Sequence, residues 1–312
     1  MRIQADAQGM STEAVFDVVI VGGGPAGLNA ALILGRCRRT VLLCDAGRPR
    51  NAYTHGVNGF LTRSGTNPWE MRALARDELR PYPTVEVRDI EVVDAERDES
   101  GFTVTLADQS KVHSGKLLLA TGVDNNLPSI EGFRELWGRG VHNCPYCDGW
   151  EHRDEAIAVY APGGGAKGLA LEMLSWTRDI TLLTDGPCEL SDEDRDKVER
   201  NGIRIVEGHI RRLEAGEHGL ERIHLEDGRA LRKKALFFVA GECEVSPLAV
   251  KLGCDLNRRG TVDTHSYERT DVPGLYVAGD ASRRVQFAVV AAAEGAMAAF
   301  SINNELAEEQ LV

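Results

Sequence analysis

Residues 16–45 read FDVVIVGGGPAGLNAALILGRCRRTVLLCD. The apolar run 17–21 predicts a β-strand. Gly22, Gly24 and Gly27 then supply G-x-G-x-x-G, and Pro25 and Ala26 lead into a helix expected over about 26–35. A second β run, 40–44, ends in Asp45. The first glycine permits a tight turn, the second lets the backbone approach a pyrophosphate, and the third lets helix and strand pack closely. The helix N-terminus attracts phosphate, and a carboxylate about 20 residues on can hold a ribose hydroxyl. A glycine triplet alone is weak evidence and could be a bland loop. With a strand before, a helix after and an acid at that distance, it predicts a dinucleotide-binding unit.

A second strand–turn–helix–strand unit is expected over 156–183, with its helix reaching about Trp176. Val18 to Val41 is 23 positions, and Ile157 to Ile180 is also 23. Superposing the two units puts Ala161 at Gly22, Gly163 at Gly24 and Ala166 at Gly27. The fingerprint there is A-P-G-G-G-A, which lacks its first glycine. Ala161 and Pro162 restrict the backbone where the turn must be tightest. Position 45 maps to Thr184, which offers no carboxylate, and Asp185 would repel a 2′-phosphate. The expectation is a dinucleotide fold with a degraded pyridine-nucleotide site; a working but unusual NAD(P)H site is the competing reading.

Between the units stands VHNCPYCDGW, residues 141–150. Cys144 and Cys147 are three positions apart, with Asp148 directly after. Three readings fit: a reversible disulfide, half of a zinc site, or two small apolar residues that happen to be close. His142 offers a third potential ligand, yet no second C-x-x-C or H-x-x-x-H completes a structural zinc site.

The chain of 312 residues is long enough for two domains, and its 43% hydrophobic and 27% charged composition is that of a globular protein. A net charge of −12 disfavours nucleic-acid binding, although Arg211-Arg212, Lys233-Lys234 and Arg283-Arg284 form small basic pairs. No apolar run is long enough to span a membrane. The N-terminus has no apolar signal segment, and the odd count of 7 cysteines does not suggest a secreted disulfide scaffold, so a cytoplasmic location is expected. Residues 1–14 are polar and expected to be disordered, with Met10 as an alternative start.

Elsewhere, Asn67-Pro68 predicts a helix start, with the helix running to about Leu79. Segments 85–87, 90–94 and 102–106 predict antiparallel strands. Residues 116–120 predict another strand, closed by Thr121-Gly122, and 123–128 a hinge. Ser191 predicts the cap of a helix to about Asn201. Strands are expected near 203–206, 220–225 and 235–239, with 240–242 as the return hinge. The run TDVPGLYVAGD at 270–280 predicts a buried strand ending in Gly279-Asp280, and 287–306 an Ala-rich helix. Asp280 can be read as a turn cap or as a carboxylate that holds a flavin's sugar-like chain.

The order of G-x-G-x-x-G, LLLATG at 117–122, C-x-x-C-D-G at 144–149, a second nucleotide fold and TDVPGLYVAGD resembles low-molecular-weight thioredoxin reductases, of the class II pyridine nucleotide-disulfide oxidoreductases, over about 16–306. The resemblance implies an α/β protein with two Rossmann-like domains. A discontinuous FAD domain over 15–125 and 243–312 would carry an inserted NAD(P)-binding-like domain over 126–242 that bears the redox pair. It implies that Gly22, Gly24, Pro25, Ala26, Gly27 and Asp45 hold the ADP half of FAD. Ala120, Thr121, Gly122, Gly279, Asp280, Gln286, Phe287 and Ala288 complete the FAD-binding set, with Asp280 on the flavin half. Cys147 would face the flavin, Cys144 would be the exchange thiol, and Asp148 the acid/base that protonates the leaving thiolate. A homodimer and a domain rotation are further implications. The related branch that puts its cysteines on the helix after the first glycine turn does not fit, because that helix carries only Cys37.

The chain departs from the family where H-R-R is replaced by Thr184-Asp185-Gly186. The functions implied are then three. One is a flavin-dependent oxidoreductase acting on thioredoxin or a similar dithiol, driven by ferredoxin or another donor rather than NADPH. The second is an oxygen-dependent dithiol oxidase of the gliotoxin and holomycin type, to which C-P-Y-C is closer than C-A-T-C, although Asp148 stands where those enzymes often have His. The third is an ordinary NADPH-thioredoxin reductase with an unusual nucleotide site. A flavin-free or zinc-binding scaffold is the non-enzymatic alternative.

Overall fold

The structure, a computed structural model, describes residues 14–239, 241, 243–258, 260–283 and 285–311. Of the extension expected at 1–14, only Ala14 lies within the described residues, and it opens the first strand. Ala240 and Glu242 of the expected return hinge lie outside them.

The chain divides into two compact units. The first comprises Met1–Ala52, Phe60–Asp124 and Glu242–Val312; the second comprises Tyr53–Gly59 and Asn125–Gly241. The first unit holds a seven-stranded sheet in the order Val85–Arg88, Val41–Cys44, Ala14–Val21, Lys111–Leu119, Gly101–Leu106, Val92–Asp98, with Leu275–Val277 also on Lys111–Leu119. The central strand alternates between two cores. Val18 and Ile20 pack under the helices Pro25–Arg36 and Ala288–Glu309, and Val19 and Val21 pack on the other face. The two helices approach so closely that a Cβ on Gly295 would lie 2.0 Å from the Ala26 carbonyl oxygen. Only a residue without a side chain is possible there. Lys116, nearly buried, ties the sheet to the end of the closing helix through Glu309 at 2.6 Å and Glu305 at 3.1 Å.

The second unit holds a five-stranded parallel sheet in the order Arg204–Val206, Ile180–Leu183, Ile157–Tyr160, Ala235–Phe238, Val141–His142. A three-stranded antiparallel sheet, Ile210–Gly216, Gly219–Leu225 and Ala230–Arg232, accompanies it. The cysteine pair follows the last residue of the edge strand Val141–His142. That places it outside the carboxyl end of a parallel sheet, where open α/β folds carry their sites. Among the described residues no helix is long and apolar enough to cross a membrane.

Several local expectations need correction. The strand Val85–Arg88 pairs in parallel with Val41–Cys44 rather than antiparallel with its successors. A single strand's sequence carries no information about the direction of its partner; the crossover through the helix Pro68–Leu79 sets it. Within the segment expected as a hinge, where the first unit gives way to the second after Asp124, Val123–Asn125 forms a short strand paired with Cys243–Val245. The helix expected to reach Trp176 is α-helical only over Lys167–Glu172 and then tightens to a 3-10 turn at Met173–Ser175. Trp176 is drawn aside there, so that its ring would be 2.9 Å from a Cβ on Gly149.

Candidate functional site: a dinucleotide cradle and a redox cysteine pair

The first glycine turn is built as the spacing requires. The Gly22 amide donates to the Cys44 carbonyl at 2.8 Å with φ +114°, and a Cβ there would lie 2.2 Å from the Ala120 carbonyl oxygen. A Cβ on Gly27 would lie 1.9 Å from the Gly22 carbonyl oxygen, so helix and turn close on each other. Gly24 is different: nothing lies within 4 Å of the position its Cβ would take. Pro25 opens the helix, Ala26 follows it into the core, and neither a side-chain cap nor an acidic residue stands in the first turn. An open, uncapped helix N-terminus beside a glycine is a ready cradle for phosphate oxygens. Ala120 is buried against this turn, with Thr121 and Gly122 after it; Gly122 has φ +66° and open space at its Cβ position.

Asp45 is 5% exposed at the end of the second strand. Burial raises its pKa, but the Gly47 amide, Arg72 and Arg76 outweigh that and hold the carboxyl below the usual range. Arg76 reaches it at 2.7 Å; Arg72 also binds it and donates to the Gly23 carbonyl at 3.2 Å. Neither arginine was signalled by the sequence, since a Pro-started amphipathic helix names no target for its polar face. The residues thus fit the ADP half of a dinucleotide: an open cradle for the pyrophosphate and an ionised carboxylate at the ribose end.

At the far end of the chain Gly279 has φ +83°, and its amide donates to Glu294 Oε2 at 2.8 Å. Arg50 bridges Asp280 Oδ2 at 2.8 Å and Gln286 Oε1 at 2.6 Å. Phe287 is the N-cap of the 22-residue helix that begins at Ala288, and no side chain caps it. Below them, fully buried Glu268 accepts two hydrogen bonds from Arg283, and Arg283 also donates to Glu294 at 2.7 Å. Tyr267 and Glu268 are both left-handed, at φ 62° and 63°. Two such residues in succession persist only where side-chain bonding over-determines them, as the Arg283 pairing does.

In the second unit Cys144 and Cys147 are joined by a disulfide, with Cα atoms 5.3 Å apart. Pro145 starts a single helical turn, Pro145–Asp148, and the Cys147 amide donates to Cys144 Sγ at 3.2 Å. Asn58 Nδ2, from a segment that no motif marks, donates to the Cys147 carbonyl at 2.8 Å. Tyr146 and Trp150 are 63% and 65% exposed beside the half-buried sulfurs, and Tyr146 meets Trp176 edge to face at 5.6 Å. His142 does not join the sulfurs. Its Nδ1 lies 3.4 Å from Asp148 Oδ1, and its Nε2 lies 3.2 Å from His152 Nε2. Among the described residues no group of His, Cys, Asp and Glu is arranged to hold a metal ion.

The second glycine turn has the register expected from the 23-residue spacing. Val18 pairs with Val41 and Ile157 with Ile180, and the Ala161 amide donates to Leu183 as Gly22 does to Cys44. Its shape differs. Ala161 is extended at φ −163°, where Gly22 is at +114°. Ala166, at the Gly27 position, carries a buried methyl where the first turn has no room for one. Glu189 lies over this turn: its amide donates to the Gly163 carbonyl at 2.8 Å, and a Cβ on Gly163 would be 2.7 Å from its carboxylate. Leu190 would be 2.9 Å from a Cβ on Gly164. Thr184 donates to the Gly186 carbonyl at 2.6 Å, and Asp185 is held by the Tyr160 hydroxyl and the Ile210 amide, both at 3.0 Å.

A model of the family described as pyridine nucleotide-disulphide oxidoreductase matches residues 16–295. Thioredoxin reductase aclD of Aspergillus oryzae is 30% identical over 308 residues, covering 95% of this chain and 98% of its own. The crystal structure of HlmI is 34% identical with a TM-score of 0.90, covering 97% of this chain and 96% of its own. That of an oxidoreductase from Agrobacterium tumefaciens is also 34% identical, with a TM-score of 0.87, covering 93% and 98% respectively. With these likenesses added to two nucleotide-type folds and a bonded C-x-x-C pair, the chain belongs to the pyridine nucleotide-disulphide oxidoreductase family, among its thioredoxin reductase-like, flavin-dependent disulfide oxidoreductases.

Proposed function

We propose that this chain passes two electrons between bound FAD and the Cys144–Cys147 pair, and on to a thioredoxin-like protein or a small dithiol, without NADPH. The observation that carries this reading is the contrast between two turns in the same register: one open at Gly24, the other covered by Glu189 and Leu190. A dinucleotide needs an open glycine turn, and a carboxylate over that turn repels a pyrophosphate. The helix after the second turn is also only six residues, Lys167–Glu172, with a correspondingly weak dipole.

FAD supplies a two-electron acceptor that matches the two electrons of a disulfide. Gly22, Gly24, Pro25, Ala26 and Gly27 would hold its pyrophosphate, and Asp45 its ribose. Ala120, Thr121, Gly122 and Gly279 would line the remainder, with Asp280, Gln286, Phe287 and Ala288 toward the flavin half. Cys144 is assigned exchange with the substrate, Cys147 exchange with the flavin, and Asp148 the proton that a departing thiolate takes up. Thiolates are the nucleophiles of such exchange, so a proton carrier is needed next to the pair.

A second reading is favoured by the exposed aromatic rings of Tyr146 and Trp150 beside the disulfide. In it a small organic dithiol is oxidised to its disulfide, and oxygen takes the two electrons and two protons as peroxide. Anaerobic mixing of the purified flavoprotein with NADPH, a dithiol or reduced ferredoxin tests both. The expected result is that the flavin band bleaches with dithiol or ferredoxin and persists with NADPH. Rapid bleaching by NADPH would overturn the main reading. Peroxide release when air is admitted would select the oxidase, and its absence with every dithiol would remove it.

A further inference from the structure

Four titratable side chains of the second unit stand in single file at the cysteine pair. Asp148 Oδ1 is 3.4 Å from His142 Nδ1, His142 Nε2 is 3.2 Å from His152 Nε2, and His152 Nδ1 is 2.9 Å from Glu155 Oε2. The rings lie 5.0 Å apart, with Phe237 packed against both. Side-chain exposure is 18% at Asp148, 6% at His142, 17% at His152 and 40% at Glu155, so a buried ring in the middle of the file joins two carboxylates that both reach water, Glu155 the more openly.

Hydrogen-bond bookkeeping links the two rings. Nitrogens facing each other need one donor and one acceptor, and a neutral imidazole has one of each. If His152 Nδ1–H donates to Glu155, then His152 Nε2 accepts from His142 Nε2–H. His142 Nδ1 is then an acceptor, and Asp148 must supply the proton. The mirrored state has the proton on Glu155, hydrogens on His152 Nε2 and His142 Nδ1, and Asp148 ionised. Moving three protons, one across each contact, interconverts the two states; two of the contacts are hydrogen bonds, and the 3.4 Å approach of Asp148 to His142 must shorten for its transfer. Burial lowers the His152 pKa against the opposing pull of Glu155, which favours the neutral ring that the file requires.

We infer that His142, His152 and Glu155 are positioning residues that relay protons between solvent and Asp148 during thiol–disulfide exchange. The inference rests on the role proposed above for Asp148. In the step served, a substrate thiolate attacks Cys144 Sγ, the bond between Cys144 and Cys147 breaks, and Cys147 leaves with the electron pair. Asp148 gives that sulfur its proton, having received it through the file from Glu155. Asp148 recovers that proton when Cys147 is next deprotonated, and the three transfers then run in reverse to Glu155, where solvent exchanges it. The second substrate thiolate displaces Cys144 to close the product disulfide.

The test follows reduction of the flavoprotein's disulfide by dithiothreitol in stopped flow, read by tryptophan fluorescence across the neutral pH range. His152→Phe is expected to slow the reaction roughly tenfold to a hundredfold, less than the loss of a whole acid catalyst. It should also shift the pH profile, with added imidazole restoring part of the rate. Glu155→Gln, at a half-exposed site that folding tolerates, should shift the profile too. If Asp148→Asn reacts at the wild-type rate, the role of Asp148 itself is wrong. If Asp148→Asn is slow while His152→Phe and Glu155→Gln reproduce the wild-type profile, the relay alone is overturned. Nitrogen-15 spectra of the histidine rings add a readout that does not depend on turnover. Complementary tautomers at His142 and His152 are expected, and matching ones would sink the relay.

Discussion

Glu189 covers Gly163: its amide donates to the Gly163 carbonyl at 2.8 Å and its carboxylate lies over the Gly163 α-carbon. A pyrophosphate approaching this turn would meet a negative charge and a filled surface. NADPH is therefore expected to bind the intact flavoprotein more weakly than about 1 mM by calorimetry. Glu189→Gln removes one unit charge and should gain about 1 kcal/mol, roughly fivefold, because Ala161 and Ala166 still misshape the turn. A micromolar dissociation constant for the unaltered protein would refute this.

Gly24 and Gly295 make opposite predictions from the same residue type. Gly24→Ala meets nothing within 4 Å, so the apoprotein's urea midpoint should hardly move while FAD retention falls. Gly295→Ala drives a methyl into the Ala26 carbonyl and should cost about 3 kcal/mol through forced separation of two packed helices. Equal effects of both on stability would show that the cradle is not open.

Asp45→Asn leaves Arg72 without its anion, while Arg76 keeps Asp89 at 2.6 Å, and should lower stability by about 3 kcal/mol, toward the lower end for broken buried pairs. The sign with pH follows from a native pKa below the ordinary 3.8. The contribution is present above that value and lost as pH falls through the lower native one. Urea midpoints measured on both sides of that window should converge for the variant and the unaltered protein in acid. A constant gap would contradict the pairing.

Arg283→Met strands Glu268 and Glu294 in the core and should cost about 3 to 5 kcal/mol at neutral pH. Burial raises both carboxyls above the ordinary 4.5 even with Arg283 present. A raised native pKa stabilises below the ordinary value, and that advantage is lost as pH rises through the native one. The variant's deficit should therefore grow from acid to neutral pH, in the same sense as that of Asp45→Asn but in a window above the ordinary 4.5 rather than below the ordinary 3.8. Thermal melts across that range check it.

Cys144→Ser removes the proposed exchange sulfur. Turnover of any disulfide or dithiol substrate should fall below detection, while FAD content and melting temperature stay near those of the unaltered protein. Wild-type turnover by this variant would mean that another sulfur performs the exchange.

What could be read from the sequence alone was local. The glycine spacing at 22–27, the cysteine pair at 144–147 and the shifted register at 161–166 each lie within a few residues of chain, where backbone geometry relates spacing directly to shape. The Asn67 and Ser191 caps were legible for the same reason; Asn67 accepts from the Trp69 amide at 2.9 Å and Ser191 from Asp194 at 3.2 Å. Tertiary structure alone decided which partners those groups keep. Arg72 reaches Asp45 across 27 positions and Arg50 reaches Asp280 across 230, and Asn58 finds the Cys147 carbonyl across 89. The cover of Glu189 over the second turn and the file from Asp148 to Glu155 belong to the same class. Sheet register and loop path bring such groups together, and an isolated polar residue carries no mark of the partner that folding will bring to it.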